Sequence, residues 1–289
     1  MDDEIITFGE IITPKMAKDL LKHNINNCVT SETHVAFLAD MMKRGQWKKH
    51  AQPVQFTGTP EDPKRCIDGQ HRLKAIIKAN VPIYLTLAFN VPEDAADTID
   101  NGKRRTNGDH VLFGVPGLKP AAAREIGVVT PWLILYERAT ITQWTQTNHQ
   151  FYKSTSSTDV VAYVKKNKKE LTEVYAWVEK NCCFNRKTIR PRSEILLIRI
   201  LTHRVDPIAS EDFCLKIYAG INLMPNTVEM TLRTWLLDMA LKKEVNTKSI
   251  QCIRYTLAQA WNKIRTGNNR ITTMRTLLYK EGTPAQRFK

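Results

Sequence analysis

Ile67-Asp68-Gly69-Gln70-His71-Arg72-Leu73 is the stretch whose residue types and spacing point most directly to chemistry. It stands where a strand-like segment hands over to a helix-like one, and such a junction suits an anion. A glycine there lets the backbone approach a ligand closely. The first helical turn offers N–H groups without intrahelical acceptors, backed by the positive end of the dipole. Arg72 would add a planar bidentate donor matched to phosphate, and an arginine at a helix start is seldom a core residue. His71 would add a second donor able to exchange a proton near neutral pH. Asp68 can cap the helix or hold Mg²⁺, alone or through water. With Asp68 and His71 at a reactive phosphate, the same turn reads as the catalytic centre of a metal-dependent nuclease or NTPase. Few acids accompany it, since Asp100 is the next within a motif and Asp109 a distant third. The plain alternative is a capped strand–helix turn whose Arg and His pair with nearby carboxylates, and spacing alone does not choose.

A second pattern is electrostatic. Lys165, Lys166, Lys168 and Lys169 crowd one short segment, followed by Lys180, Arg186, Lys187, Arg190 and Arg192. Repulsion among so many like charges is relieved by phosphates, the physical basis of nonspecific DNA binding; a solvated helical face is the alternative. The net charge of +14 lies wholly on the same side of the chain. Residues 1–115 hold 15 Lys and Arg against 15 Asp and Glu, and residues 116–289 hold 28 against 14. A polyanionic partner, nucleic acid before membrane, fits that asymmetry.

The elements that must position these residues change character near position 115. Before it, Ser31 can cap a helix in which Val35, Leu38, Met41 and Met42 recur at helical spacing up to Gly45. Short strands are expected at 53–56 and 65–67, a helix from Leu73 to Asn80, and a buried strand over 81–89. Pro92-Glu93-Asp94 should open another helix. After Gly114-Val115-Pro116-Gly117, helices are expected at about 118–139, 157–180, 191–203, 208–219, 226–242 and 247–265, with 140–156 the most loop-like stretch. The fold class is therefore α+β: a mixed α/β module over 1–115 and a basic, mainly helical region over 116–289.

Composition narrows the rest. The 289 residues are 42% apolar and 25% charged, values of an ordinary globular chain rather than a disordered one. No apolar run approaches the ~18 residues of a membrane-spanning helix, and the N-terminus is acidic, unlike a signal peptide. Six cysteines at 28, 66, 182, 183, 214 and 252 show no zinc spacing, which favours reduced thiols in a cytoplasmic protein. Neither zinc nor haem is expected. His34, His50 and His110 read as ordinary histidines, and Trp132, Trp144, Trp177, Trp235 and Trp261 as core.

The run DGQHR with its apolar helix, preceded by LADMMKRGQW and QPVQF and followed by a strand, resembles the ParB/sulfiredoxin-like superfamily over residues 30–112. It is most similar to the DGQHR branch of phage proteins and of regulators of DNA phosphorothioation. Asp100-Asn101-Gly102-Lys103-Arg104 resembles the second nucleotide-binding motif of ParB proteins, with Asp in place of Glu. The resemblance implies a nucleoside triphosphate with Mg²⁺. Gly69, Gln70, His71 and Arg72 would meet the phosphates, Asp100 and Asn101 the metal, and Arg104 the remaining charge; Arg105 lies beside the pattern. Sulfiredoxins carry their essential Cys where this chain has Gln70, so peroxiredoxin repair is not implied. The implied protein binds DNA through its basic helices and a nucleotide through its module, in the cytoplasm, or the host cytoplasm if phage-encoded. A homodimer and a non-catalytic regulatory scaffold stay open.

Overall fold

The computed structural model describes residues 4–25, 27, 29–97, 99, 105–138, 155–182, 192–241, 247–270, 274, 277–278 and 287–289. The chain divides into two compact units, Met1–Arg104 and Arg105–Lys289. That division precedes the change of pattern near 115, because the segment between them forms a helix that belongs to the second unit. The excess of positive charge stays with that unit, since residues 1–104 remain neutral.

The first unit is built on a four-stranded sheet. Its strands are β1 (Ile6–Ile12), β2 (Pro53–Gly58), β3 (Pro63–Asp68) and β4 (Ile83–Phe89), in the order β1-β4-β2-β3. β4 is antiparallel to β1 and parallel to β2, and β2 and β3 form an antiparallel hairpin. Helices α1 (Pro14–Leu20), α2 (Glu32–Lys43) and α3 (Gln70–Ala79) complete the unit. Val54, Phe56, Leu73, Ile76, Leu85 and Leu87 form the middle of its core. Phe56 stacks on Phe89 and Phe89 on Phe8, with centroids 5.2 and 5.7 Å apart, so aromatics tie three strands together. Ser31 caps α2 by accepting from the His34 N–H, as its position suggests. Residues Glu93–Asp97 form a 3₁₀ turn instead of the expected helix. Unlike β2 to β4, β1 and α1 have no counterpart in the sequence reading.

The second unit is helical. It runs through α4 (Asn107–Gly114), α5 (Pro120–Glu137), α6 (Ser157–Lys166), α7 (Lys168–Asn181), α8 (Arg192–His203), α9 (Pro207–Cys214), α10 (Val228–Leu241) and α11 (Thr247–Arg265). Residues 157–180 make two helices, because the chain breaks at Asn167, whose side chain donates back to the Tyr163 carbonyl. α9 ends in a π turn over Leu215–Ala219. Thr155 and Ser156, expected in a loop, are buried, and Ser156 closes a capping box with Asp159 at the start of α6. The core runs along α5 and α8, where Ile195 to Ile198, Ile200 and Leu201 are all buried. Trp261 meets Phe213 edge-on, and Trp132, Trp177 and Trp235 pack at the margin of this core. The chain is α+β as expected, and no helix of the described residues is long and apolar enough to cross a membrane.

Candidate anion and nucleic-acid sites

The DGQHR turn begins with a backbone reversal that glycine makes possible. Gly69 has φ +101°, and a Cβ there would lie 2.7 Å from both Val54 methyls. The glycine is thus required by β2 beneath it as well as by the turn. It is the N-cap of α3, which starts without a side-chain cap and without an acid in its first turn. Asp68 does not cap the helix. Its Oδ2 accepts instead from Arg72 at 2.9 Å, one helical turn ahead.

Arg72 departs from the sequence expectation. It is 8% exposed, and its guanidinium also donates to the carbonyls of Gln52 and Pro53, each at 2.8 Å. The planar fork that would suit phosphate binds the backbone at the entrance to β2. Gln70 is 6% exposed, and its Oε1 accepts from Asn24 at 3.2 Å. His71 is half-buried, and its Nε2 accepts the Ser31 N–H at 3.1 Å, which places the ring proton on Nδ1. The imidazole is therefore an acceptor at Nε2, and Nδ1–H is the donor it can offer. His34 meets it edge-on at 5.3 Å.

A polar segment lies over this turn. Asn27 donates to Asn24 and to the Cys66 carbonyl, and Lys74 donates to the Thr30 hydroxyl at 2.6 Å. Asn24 and Thr30 thus hold the start of α3 through side chains that sequence reasoning passed over, Asn27 braces Asn24, and Ser31 adds its backbone N–H. Their signal was present in a run of small polar residues without helical period. Cys66 is fully buried, and burial, with Asp68 nearby, pushes its thiol up to about 12, so it stays protonated at neutral pH.

Asp100, Asn101 and Arg104, the residues matched to a metal and phosphate motif, lie outside the described residues. So do Arg186, Lys187 and Arg190 and the side chain of Arg192. Among the described residues, no three His, Cys, Asp or Glu side chains gather as a metal site. At the DGQHR turn a divalent cation would find the Asp68 carboxylate, one oxygen of which Arg72 already holds.

Comparison with protein-family models, curated proteins and solved structures finds no match.

The lysine cluster falls at the junction of α6 and α7. Lys165 and Lys166 close α6, Lys168 and Lys169 open α7, and all four are exposed. Lys168 Nζ donates to the Pro116 carbonyl at 2.7 Å, which holds the turn before α5 against this junction. Among the described residues, Lys119, Lys165, Lys166 and Lys169 form no ion pair. Of the nearby acids, Asp159 caps α6 and Glu170 makes two bonds of 2.7 Å to Arg204, while Glu173 is exposed one turn after Lys169. Lys180 is exposed near the far end of α7. Arg105 is exposed at the start of the second unit, with its guanidinium 5.0 Å from the Phe113 ring centroid.

Proposed function

We propose that the helical unit binds DNA through the α6–α7 junction. The observation that carries this reading is the group of exposed lysines that form no ion pair among the described residues, with Asp159 and Glu170 committed to a helix cap and to Arg204. Uncompensated cations at that density attract phosphates and release counterions, which gives affinity without base information. The confinement of the +14 excess to this unit supports it further. Binding of a labelled 20-base-pair duplex should weaken steeply with salt. Replacing Lys165, Lys166 and Lys169 together by Gln should reduce the slope of log K against log salt by about 2.7, close to 0.9 per lost contact. A triple variant with the parent's affinity and slope would move DNA off this surface.

A second reading concerns the neutral first unit, as a module holding a nucleotide or phosphate. The left-handed Gly69 and the acid-free, uncapped first turn of α3 favour a small anion, and the likeness to ParB/sulfiredoxin-like proteins supports a triphosphate. His71 and the helix N-terminus would meet it, while Arg72 would act by holding the turn. Calorimetric titration with CTP, ATP and GTP, with and without Mg²⁺, tests this, and product analysis in the same samples tests hydrolysis. Absence of binding by all three would end the nucleotide reading.

A further inference from the structure

A groove of about 410 Å³ lies between α4 and α6, with His110, Phe113, Ser157, Thr158, Val161 and Lys165 on its walls. It is an open groove whose volume falls within the ordinary range of ligand clefts, roughly 300–1,000 Å³. Gly114 lets the two helices meet at its base, since a Cβ there would lie 2.6 Å from a Val161 methyl. Phe113 is 71% exposed, so its ring is open to a ligand at the groove's wall. Arg105 stands over that ring, so two planar groups that stack readily on bases occur together. Burial and the charge of Arg105 hold the His110 pKa below its ordinary value, so the ring stays neutral and adds little charge to the wall.

Cations also flank the groove. Arg105 and Lys165 flank it, and Lys166 and Lys169 continue the field along the α6–α7 junction. The two acids in its walls' helices are turned to capping: Asp109 accepts from the Thr106 backbone and hydroxyl, and Asp159 does the same for Ser156. An apolar slot with an exposed aromatic and flanking cations complements a flat base joined to phosphates. Bases paired in a duplex keep their faces covered by stacking, so a stacking platform of this kind serves an unpaired one.

We propose that the groove between α4 and α6 receives an unpaired base of single-stranded nucleic acid, stacked on Phe113, with the adjoining phosphates on Arg105 and Lys165. This rests on the DNA reading of the neighbouring lysines and adds a preference for single strands to it. The test compares fluorescence anisotropy of the full chain with labelled dT₁₂, with a dT₁₂ analogue lacking bases, and with a duplex. Phe113→Ala should weaken dT₁₂ binding by roughly 5- to 150-fold, the cost of one lost stacking contact, and leave duplex affinity and its salt slope unchanged. Phe113→Trp should retain dT₁₂ binding, and the base-free strand should bind the parent no better than dT₁₂ binds Phe113→Ala. Equal binding of dT₁₂ by parent and Phe113→Ala, or of the base-free strand and dT₁₂ by the parent, would overturn the proposal while leaving duplex binding intact. Displacement of dT₁₂ by a poly-glutamate peptide at equal charge concentration would overturn it in favour of an acidic protein partner. Failure of the parent to bind either nucleic acid would overturn both this proposal and the reading beneath it.

Discussion

Replacing Arg72 by alanine removes three hydrogen bonds at once, two to the carbonyls of Gln52 and Pro53 and one to the Asp68 carboxylate. The two carbonyls sit at the strand entrance, where Gln52 is exposed and Pro53 half-buried, so water can partly replace the donor. Each of those bonds is worth about 1 kcal/mol, and the charge-assisted bond to Asp68, whose side chain is 18% exposed, about 1.5–3 kcal/mol. The sum is about 3.5–5 kcal/mol, a large share of the stability of a unit this size. With a urea slope of about 1.5–2 kcal/mol per molar, the unfolding midpoint of the first unit should fall by about 2–3 M. Hydrogen exchange measured against urea, read on peptides covering 53–58 and 70–79, reports that unit separately from the helical one. Arg72→Lys should recover part of the loss, because an ammonium cannot serve three acceptors in the plane of the fork. An Arg72→Ala protein that keeps the parent's midpoint but loses triphosphate binding would refute the structural role and return the guanidinium to the ligand.

Gly69→Ala should destabilise the first unit by about 2–4 kcal/mol, combining a strained left-handed alanine with overpacking against Val54. Calorimetry should show its transition lowered by roughly 10 °C or more, and an unchanged melt would count against the close approach of β2. His50, His110 and His203 all have pKa values held below the ordinary 6.5, first by burial and then by Arg72, Arg105 and Arg199 respectively. Below that value the unfolded chain binds more protons than the folded one, so their contribution is fully present above pH 6.5 and lost as pH falls through the lowered values. Denaturation midpoints measured from pH 7.5 to 5.0 should fall on the acid side, and a triple His→Gln variant with an equally steep decline would refute that origin.

What the sequence determined by itself is what depends on neighbouring residues and on totals. The strand–helix reversal at Asp68-Gly69, the Ser31 cap, β2 to β4 and most of the later helices follow from local propensity, capping chemistry and hydrophobic period. The division of charge between the two halves is arithmetic on the chain. β1 escaped because ITFGEII sits at a sheet edge with only Ile12 buried, so it carries no alternation of burial, and a glycine and an acid interrupt it. The site was legible as a place but not as a set of roles. Nothing in DGQHR says that Arg72 turns toward carbonyls 19 and 20 residues earlier, or that Asn24, 46 residues away, supplies the partner of Gln70. Nor does the sequence set Phe113 apart from a core phenylalanine; its exposure follows from where α6 packs against α4. Such roles are decided by which distant acceptors, methyl groups and helices the fold brings within a few ångströms. A side chain's hydrogen bonds are chosen by that neighbourhood, because a buried donor must be satisfied wherever the chain places it.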